Sequence, residues 1–405
     1  MKIAIVVKSF PTVSETFIVN QIIGFIEAGH EVEILSIYRS KDKVLHHQIK
    51  KHDLLNKVRS YNDFTSDKFR SLLSYLNFLV KNWRIVNIHV FLELLFKIIR
   101  QKQNRLLLLE RTQWFVVGKK YDIVHAHFGN IASRFIDIKK FKSLSATKFF
   151  ISFHGYDLSP DQISLNSLRY KDLLMLSDGF IVNTEYLKSI LYQVKGDINR
   201  ISVIPVGLNT KIFVPDERAK IKNSILFCGR LIALKAPDLA IKIIEKVKKS
   251  IHDVQLSIIG EGPLEQEVKR LVSELNLDKN VRFYGACTQE EVKGHMNANM
   301  LFLLPGIEDP NTGRAETQGL VIQEAQAMGL PVLVSDAGGM RYGLIDGETG
   351  FILPRGDVDL FANKIIKLLN NPCKIKSMGY AARSFVQKNY DIESIVKKHL
   401  EKFLN

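Results

Sequence analysis

Three cysteines in 405 residues, Cys228, Cys287 and Cys373, with no C-x-x-C spacing among them, exclude a disulfide framework and a cysteine-ligated zinc knuckle. They are expected as buried free thiols. No run of about 18 uncharged apolar residues occurs, which excludes a membrane-spanning helix of the usual kind and leaves a soluble or peripheral protein. The opening MKIAIVVKSF has the short apolar run of a signal peptide. Lys8 cuts that run and no small-residue cleavage site follows, so the segment reads as a first strand. Low-complexity tracts and short-period repeats are also missing. The 46% hydrophobic and 24% charged residues are those of an ordinary globular chain, expected to fold throughout as two domains.

Acidic residues are the scarce charge: 57 Lys and Arg stand against 42 Asp and Glu, for a net +15. The segment from Arg39 to Arg105 holds 15 of the cations and only 5 carboxylates. Such a basic stretch attracts phosphate-rich partners, namely anionic lipid headgroups, lipid diphosphates or nucleic acid. Within it, Tyr61 to Arg105 mixes Phe, Trp and Leu with Lys and Arg. That mixture suits either a membrane-surface helix or an amphipathic helix packed on a sheet.

Short β-branched runs alternate with stretches of helical length: IAIVV at 3–7, EVEILSI at 31–37, DIVHAHF at 122–128 and KFFISFH at 148–154. This rhythm predicts βαβ units and a parallel sheet. It restarts after ISVIPVGLNT (201–210) with SILFCG, VQLSIIG, VRFYG, MLFLLPG and PVLVSD. The chain therefore divides into a first α/β domain over 1–206 and a second over 207–385. A C-terminal helix of about 386–405 is expected to pack back on the first domain. Two such Rossmann-like domains face each other across a cleft at the carboxyl ends of their strands.

In the second domain GRAETQGLVIQEAQA (313–327) leads from a turn-rich loop into a helix, with Glu316 and Glu324 eight residues apart. A helix starting near Gly319 offers the N–H groups of Gly319, Leu320 and Val321 to an anion such as a diphosphate. The flanking carboxylates suit hydroxyls, Glu324 a ribose diol and Glu316 those of a bound sugar. Gly229-Arg230 ends a strand, and Lys235 follows in GRLIALKAPD. These two cations are suited to neutralising a leaving diphosphate without a metal ion, and no acidic pair with metal-binding spacing accompanies them. Gly260-Glu261-Gly262-Pro263 stands where a dinucleotide fold carries G-x-G-x-x-G, but position 265 is Glu, which counts against a dehydrogenase. The two glycines allow close approach of a nucleotide, with Pro263 at the first helical position.

Gly229-Arg230…Lys235, Gly260-Glu261-Gly262, Glu316-TQGLVIQ-Glu324 and Gly338-Gly339, in this order, resemble glycosyltransferase family 4. SFPTVSETFIVNQI (9–22) is similar to its colanic acid and amylovoran exopolysaccharide subgroup. After Gly338-Gly339 the family continues with Ile-Pro-Glu, whereas this chain has Met340-Arg341-Tyr342. The resemblance implies the GT-B fold and a retaining, metal-independent hexosyltransferase. Such an enzyme uses a nucleotide-sugar donor and a saccharide or lipid-linked acceptor, needs no cofactor, and works in the cytoplasm or on the cytoplasmic membrane face.

By the same resemblance Arg230 and Lys235 clamp the diphosphate, Glu324 binds the ribose and Glu316 the donor sugar. The backbone of Tyr284, Gly285 and Ala286 meets the base, and His154, at the end of KFFISFH, sits beside the reacting carbon. On the acceptor side stand Ser14, Glu15, His127 and Asn183. Ser14 is also read as a helix N-cap, Asn183-Thr184 as a capping pair, and His125 as structural. The alternatives are a sugar-nucleotide 2-epimerase of the same architecture and a basic nucleic-acid-binding protein. The absence of a nucleic-acid module and the acidic motif speak against the latter.

Overall fold

The computed structural model of the chain describes residues 1–12, 15–40, 47–60, 68–100, 105–118, 120–216 and 220–405. Among them two sheets form. The first contains β1 (Lys2–Phe10), β2 (Glu31–Arg39), β3 (Val58–Ser60), β4 (Ile123–His127), β5 (Lys148–Phe153), β6 (Gly179–Val182) and β7 (Ile201–Val203), in the order β3-β2-β1-β4-β5-β6-β7. The second contains β8 (Ser224–Cys228), β9 (Gln255–Ile259), β10 (Val281–Phe283), β11 (Leu301–Leu304), β12 (Val332–Ser335) and β13 (Gly350–Leu353), in the order β10-β9-β8-β11-β12-β13. Every pairing is parallel.

Central strands such as β4 (IVHAH) and β8 (SILFC) are buried at every position, because helices cover both faces of a parallel sheet. In each sheet the strand order reverses beside the first strand, between β1 and β4 and between β8 and β11. A crevice opens there at the strands' carboxyl ends. The two Rossmann-like sheets anticipated from the strand rhythm are thus present. Outside the runs of that rhythm lie β6, an interior strand of four residues, and β3, β7 and β13, edge strands of three or four residues that pair on one side only.

The C-terminal return starts later than about residue 386. The helix Pro372–Asn389 stays with the second core through Ile375, Met378 and Val386. The chain crosses at Tyr390–Asp391, where Leu208 N–H donates to Tyr390 O (3.0 Å) and Ile392 N–H to Leu208 O (3.0 Å). The helix Ile392–Leu404 then buries Ile395, Val396 and Phe403 among Ile3, Ile5 and Ile22 of the first domain. The cysteines also differ from expectation: Cys228 is buried at the end of β8, Cys287 is partly buried, and Cys373 is exposed in the first turn of its helix.

Two helices, Lys68–Lys81 and Ile88–Arg100, occupy the basic, apolar segment. Their inner faces bury Tyr75, Val90 and Leu94 in a core shared with Trp114. Much of the remaining apolar surface faces outward, with Phe69, Val80, Trp83 and Ile99 each at least 69% exposed. Among the described residues no helix is long and apolar enough to cross a membrane.

Candidate active site

Between the carboxyl ends of the two sheets lies a cleft of about 670 Å³ lined from the first domain by His154, Gly155 and Tyr156, and from the second by Arg230, Lys235, Arg314, Glu316 and Thr317. Four residues widely separated in sequence, His154, Arg230, Lys235 and Glu316, meet here. Arg230 leaves β8 through Gly229, is exposed, and has no ion pair among the described residues. Lys235 closes a short turn, Ala233–Lys235, and its Nζ lies 2.5 Å from Glu316 Oε2. The other oxygen, Oε1, accepts the Gly319 N–H at 3.1 Å. Burial pushes the Glu316 carboxyl up, but the Lys235 charge and backbone N–H groups outweigh it and leave the group below the usual carboxylate range.

Two expectations are corrected here. Lys235 is not a free point charge, because Glu316 already pairs with it. Nor is the Gly319 N–H open to a phosphate, because the same carboxylate takes it. The helix begins at Leu320, after Gly319 in the left-handed region (φ 73°), and the N–H groups of Leu320 and Val321 remain beyond that cap. Glu324 sits in the second turn of this helix, beside Cys228, and its carboxylate has no hydrogen bond or ion pair among the described residues. Burial raises its carboxyl to about 7. Burial, then the charge of Glu324, pushes the Cys228 thiol up to about 12.

The G-x-G turn has a packing explanation. A Cβ on Gly260 (φ 124°) would lie 2.1 Å from Gly229 O, and one on Gly262 would lie 2.4 Å from Leu231 O. Both glycines let this turn pack on backbone 229–231, with Leu231 N–H donating to Glu261 O (2.9 Å). Pro263 precedes the helix, which starts at Glu265. Tyr284, Gly285 and Ala286 follow β10 outside the cleft lining. Gly285 O accepts the Gly260 N–H (2.8 Å), Ala286 N–H donates to Glu261 (3.2 Å), and the Tyr284 ring packs on His295.

On the opposite wall the His154 ring packs against Phe17 and Phe128, at 4.9 and 4.8 Å. His127 stacks behind it with rings 9° apart, and its Nδ1 lies 3.0 Å from His154 Nε2. At 1% exposure His127 supports His154 and is not itself an open acceptor contact. His125 bonds Ser152 Oγ (2.7 Å) and faces His399 of the C-terminal helix. Burial, and to a lesser degree His399, lower His154 to about 3, so its imidazole is uncharged at neutral pH. Its Nδ1 is buried with no hydrogen-bond partner among the described residues.

The sequence reading missed Asp157. Its carboxylate accepts N–H groups from Gly129 (2.6 Å), His154 (3.0 Å) and Gly155 (3.1 Å), which locks the loop that presents His154. An Asp four residues past the end of β5 is the available signal, since its side chain turns the backbone locally. Asn183, expected on the acceptor side, is 7% exposed and donates across the cleft to Thr317 Oγ1 (3.2 Å). Thr184 caps the helix Glu185–Gln193 and also donates to Thr317 O (2.9 Å). Ser14 lies outside the described residues. The N-cap of Thr16–Glu27 is Glu15, whose carboxylate takes the Thr12 hydroxyl (2.9 Å) instead of a helix N–H. Burial raises the Glu15 carboxyl.

The family description "Glycosyltransferase Family 4" matches residues 14–212, and "Glycosyl transferases group 1" matches 209–385. The chain is 24% identical over 402 residues to the amylovoran biosynthesis glycosyltransferase AmsK of Erwinia amylovora, covering 96% of each. It is 25% identical over 377 residues to WcaL of Escherichia coli, whose name assigns it to colanic acid biosynthesis, covering 90% of each. A GDP-mannose-dependent phosphatidylinositol monomannoside mannosyltransferase of Mycolicibacterium smegmatis is 24% identical over 67% of this chain and 74% of its own. Among solved structures, Anabaena HepE in complex with UDP superposes with a TM-score of 0.74 at 16% identity over 99% of both chains. The lipopolysaccharide outer core galactosyltransferase WaaB superposes at 0.66, with 18% identity over 100% of this chain and 99% of its own. At such identities the structural likeness is one of fold.

Proposed function

The chain belongs to the family 4 glycosyltransferases and is a hexosyltransferase, and we propose that it is a retaining, metal-independent one acting on an exopolysaccharide-type, lipid-linked saccharide. One arrangement carries the reading: an uncharged His154 with a free buried nitrogen faces Arg230, Lys235 and Glu316 across a single cleft. In this reading Arg230 and the N–H groups of Leu320 and Val321 stabilise charge on the departing nucleoside diphosphate. Lys235 shares its charge between that group and Glu316, which orients the donor sugar's hydroxyls. Glu324 takes the ribose diol, and backbone at 284–286 meets the base.

Glu316 is the one carboxylate among the lining residues of the cleft, and Lys235 and Gly319 engage both of its oxygens. That arrangement favours departure and attack on one face of the sugar over a covalent intermediate. The acceptor hydroxyl forms the new glycosidic bond as the anomeric bond to the diphosphate breaks, and the departing oxygen takes the hydroxyl proton. Incubation with UDP-, GDP- and ADP-sugars, each with lipid-linked saccharides, tests this. The expected result is acceptor-dependent release of one nucleoside diphosphate, retained anomeric configuration, and turnover insensitive to a chelator. An inverted product or loss of turnover in the chelator overturns the corresponding part, and a C2-epimerised nucleotide sugar formed without acceptor revives the epimerase.

The acceptor reading draws on the exposed apolar face of the helices Lys68–Lys81 and Ile88–Arg100, flanked by Lys81, Arg84, Lys97 and Arg100. Beside it a wide groove gathers Lys97, Arg100, Arg111, Lys140 and Lys142 against only Glu93 and Asp137. A peripheral seat on the anionic cytoplasmic membrane face suits both features. Each cation near such a surface contributes about 1 kcal/mol. Replacing Lys81, Arg84, Lys97 and Arg100 together by Gln is therefore expected to weaken co-sedimentation with phosphatidylglycerol vesicles by roughly 10²-fold or more. Unchanged co-sedimentation would return this face to a merely solvated surface.

A further inference from the structure

Three consecutive residues of the acidic motif face three different parts of the molecule. Glu316 turns to Lys235 within its own domain. Gln318 grips the connection between the domains, accepting the Val206 N–H (2.8 Å) and donating to Val206 O (2.9 Å). Thr317, between them, reaches across the cleft: its hydroxyl donates to His154 O (3.1 Å) and accepts from Asn183 Nδ2 (3.2 Å), while its carbonyl accepts from Thr184. Its methyl Cγ2 occupies space that only a glycine leaves open, since a Cβ on Gly155 would lie 2.2 Å away. From behind, the Gly338-Gly339 loop braces the same backbone. Gly339 N–H donates to Glu316 O (2.7 Å), and an added Cβ at Gly339 would stand 1.8 Å from Thr317 O.

We propose that Thr317 is a positioning residue for sugar transfer, a clasp whose hydroxyl sets the His154 loop of one domain against the Glu316 turn of the other. Because Glu316 and Thr317 share one peptide unit, a displacement of the Glu316 turn is transmitted directly to the His154 carbonyl. Asn183 is the clasp's second jaw and not an acceptor contact. The proposal rests on the reading of His154 and Glu316 as donor-sugar contacts. It adds that their separation is governed by Thr317, which lines the same cleft between them.

The discriminating pair is Thr317→Val, which keeps the shape and loses the hydroxyl, and Thr317→Ser, which keeps the hydroxyl. In Thr317→Val the His154 carbonyl and the Asn183 amide lose their partner at a part-buried interface, and misplacement of a reacting group by about 1 Å is worth up to 10²-fold in rate. The valine variant is expected to lose about tenfold or more in kcat. Its affinities for UDP and GDP stay within about threefold, because the proposed nucleotide contacts lie in the second domain. Small-angle scattering of the free protein should show a larger radius of gyration. Thr317→Ser should restore both to near wild type, and Asn183→Ala should copy Thr317→Val without adding to it in the double variant. Wild-type kcat and scattering in Thr317→Val, or a serine variant as impaired as the valine one, would overturn the clasp. Full activity of Glu316→Gln alongside an expanded Thr317→Val protein would instead overturn the donor-sugar role of Glu316 and leave the clasp standing.

Discussion

Arg230→Ala is expected to lower sugar transfer by roughly 10²–10³-fold, the range seen when one preorganised charge-stabilising donor is removed, while leaving the melting temperature essentially unchanged. The separation of the two effects follows from the geometry. Arg230 is exposed and free of ion pairs among the described residues, so the folded protein loses little with it. Lys235 behaves differently, although the sequence presents the two cations as equals. Lys235→Met leaves Glu316 buried with its charge opposed only by backbone N–H groups, and breaking such a pair costs about 3–5 kcal/mol. That variant should lose both turnover and thermal stability. Lys235→Met/Glu316→Leu should regain most of the stability and none of the activity. Equal melting temperatures for Arg230→Ala and Lys235→Met would contradict the pairing, and undiminished transfer by Arg230→Ala would remove it from the site.

Nucleotide affinity should depend on pH through Glu324. Burial lifts this carboxyl from 4.5 to about 7, and no partner among the described residues offsets the effect. A ribose diol donates its hydroxyl protons, so it selects the ionised form and lowers the carboxyl's pKa on binding. Affinity is then full above about pH 7 and falls as pH drops through 7, by up to about tenfold per unit until the bound-state pKa is reached. Glu324→Gln should flatten this dependence in titrations with UDP or GDP between pH 5.5 and 8.5, conditions of roughly neutral pH chosen to span the shift. A profile of unchanged slope in Glu324→Gln would sink the ribose role.

The same raised pKa works against the fold. An acid whose folded pKa lies above its unfolded value destabilises the protein once pH exceeds the unfolded value, and does so fully above the folded one. Above pH 7 the ionised Glu324 therefore costs on the order of 1–3 kcal/mol, its partly exposed edge being screened by water. Glu324→Gln should accordingly melt at a higher temperature at pH 8 than the parent, a gain in stability that accompanies weaker binding.

Several features were legible from residues alone because their signals are local. Apolar β-branched runs marked the central strands, since a strand buried on both faces must be apolar throughout. The E-x7-E spacing placed one carboxylate before a helix and the other in its second turn, as α-helical geometry requires. Edge strands β3 and β7 escaped because three residues paired on one side need little hydrophobic signal. Asp157 escaped because its three N–H partners include Gly129, 28 positions earlier in the chain.

By itself, then, the order of residues determined the two parallel sheets, the family, and a set of cations and carboxylates suited to a nucleotide sugar. Each follows from periodicity or from spacing within a few turns. Only the tertiary structure decided what those groups do to one another. It neutralised Lys235 with Glu316, left the Arg230 and Glu324 side chains without ion pairs among the described residues, put His127 behind His154, and set Asn183 against Thr317. The reason is physical: charge, tautomer and pKa are set by distances of a few ångströms between groups up to 163 positions apart in the chain, and no local pattern encodes those distances.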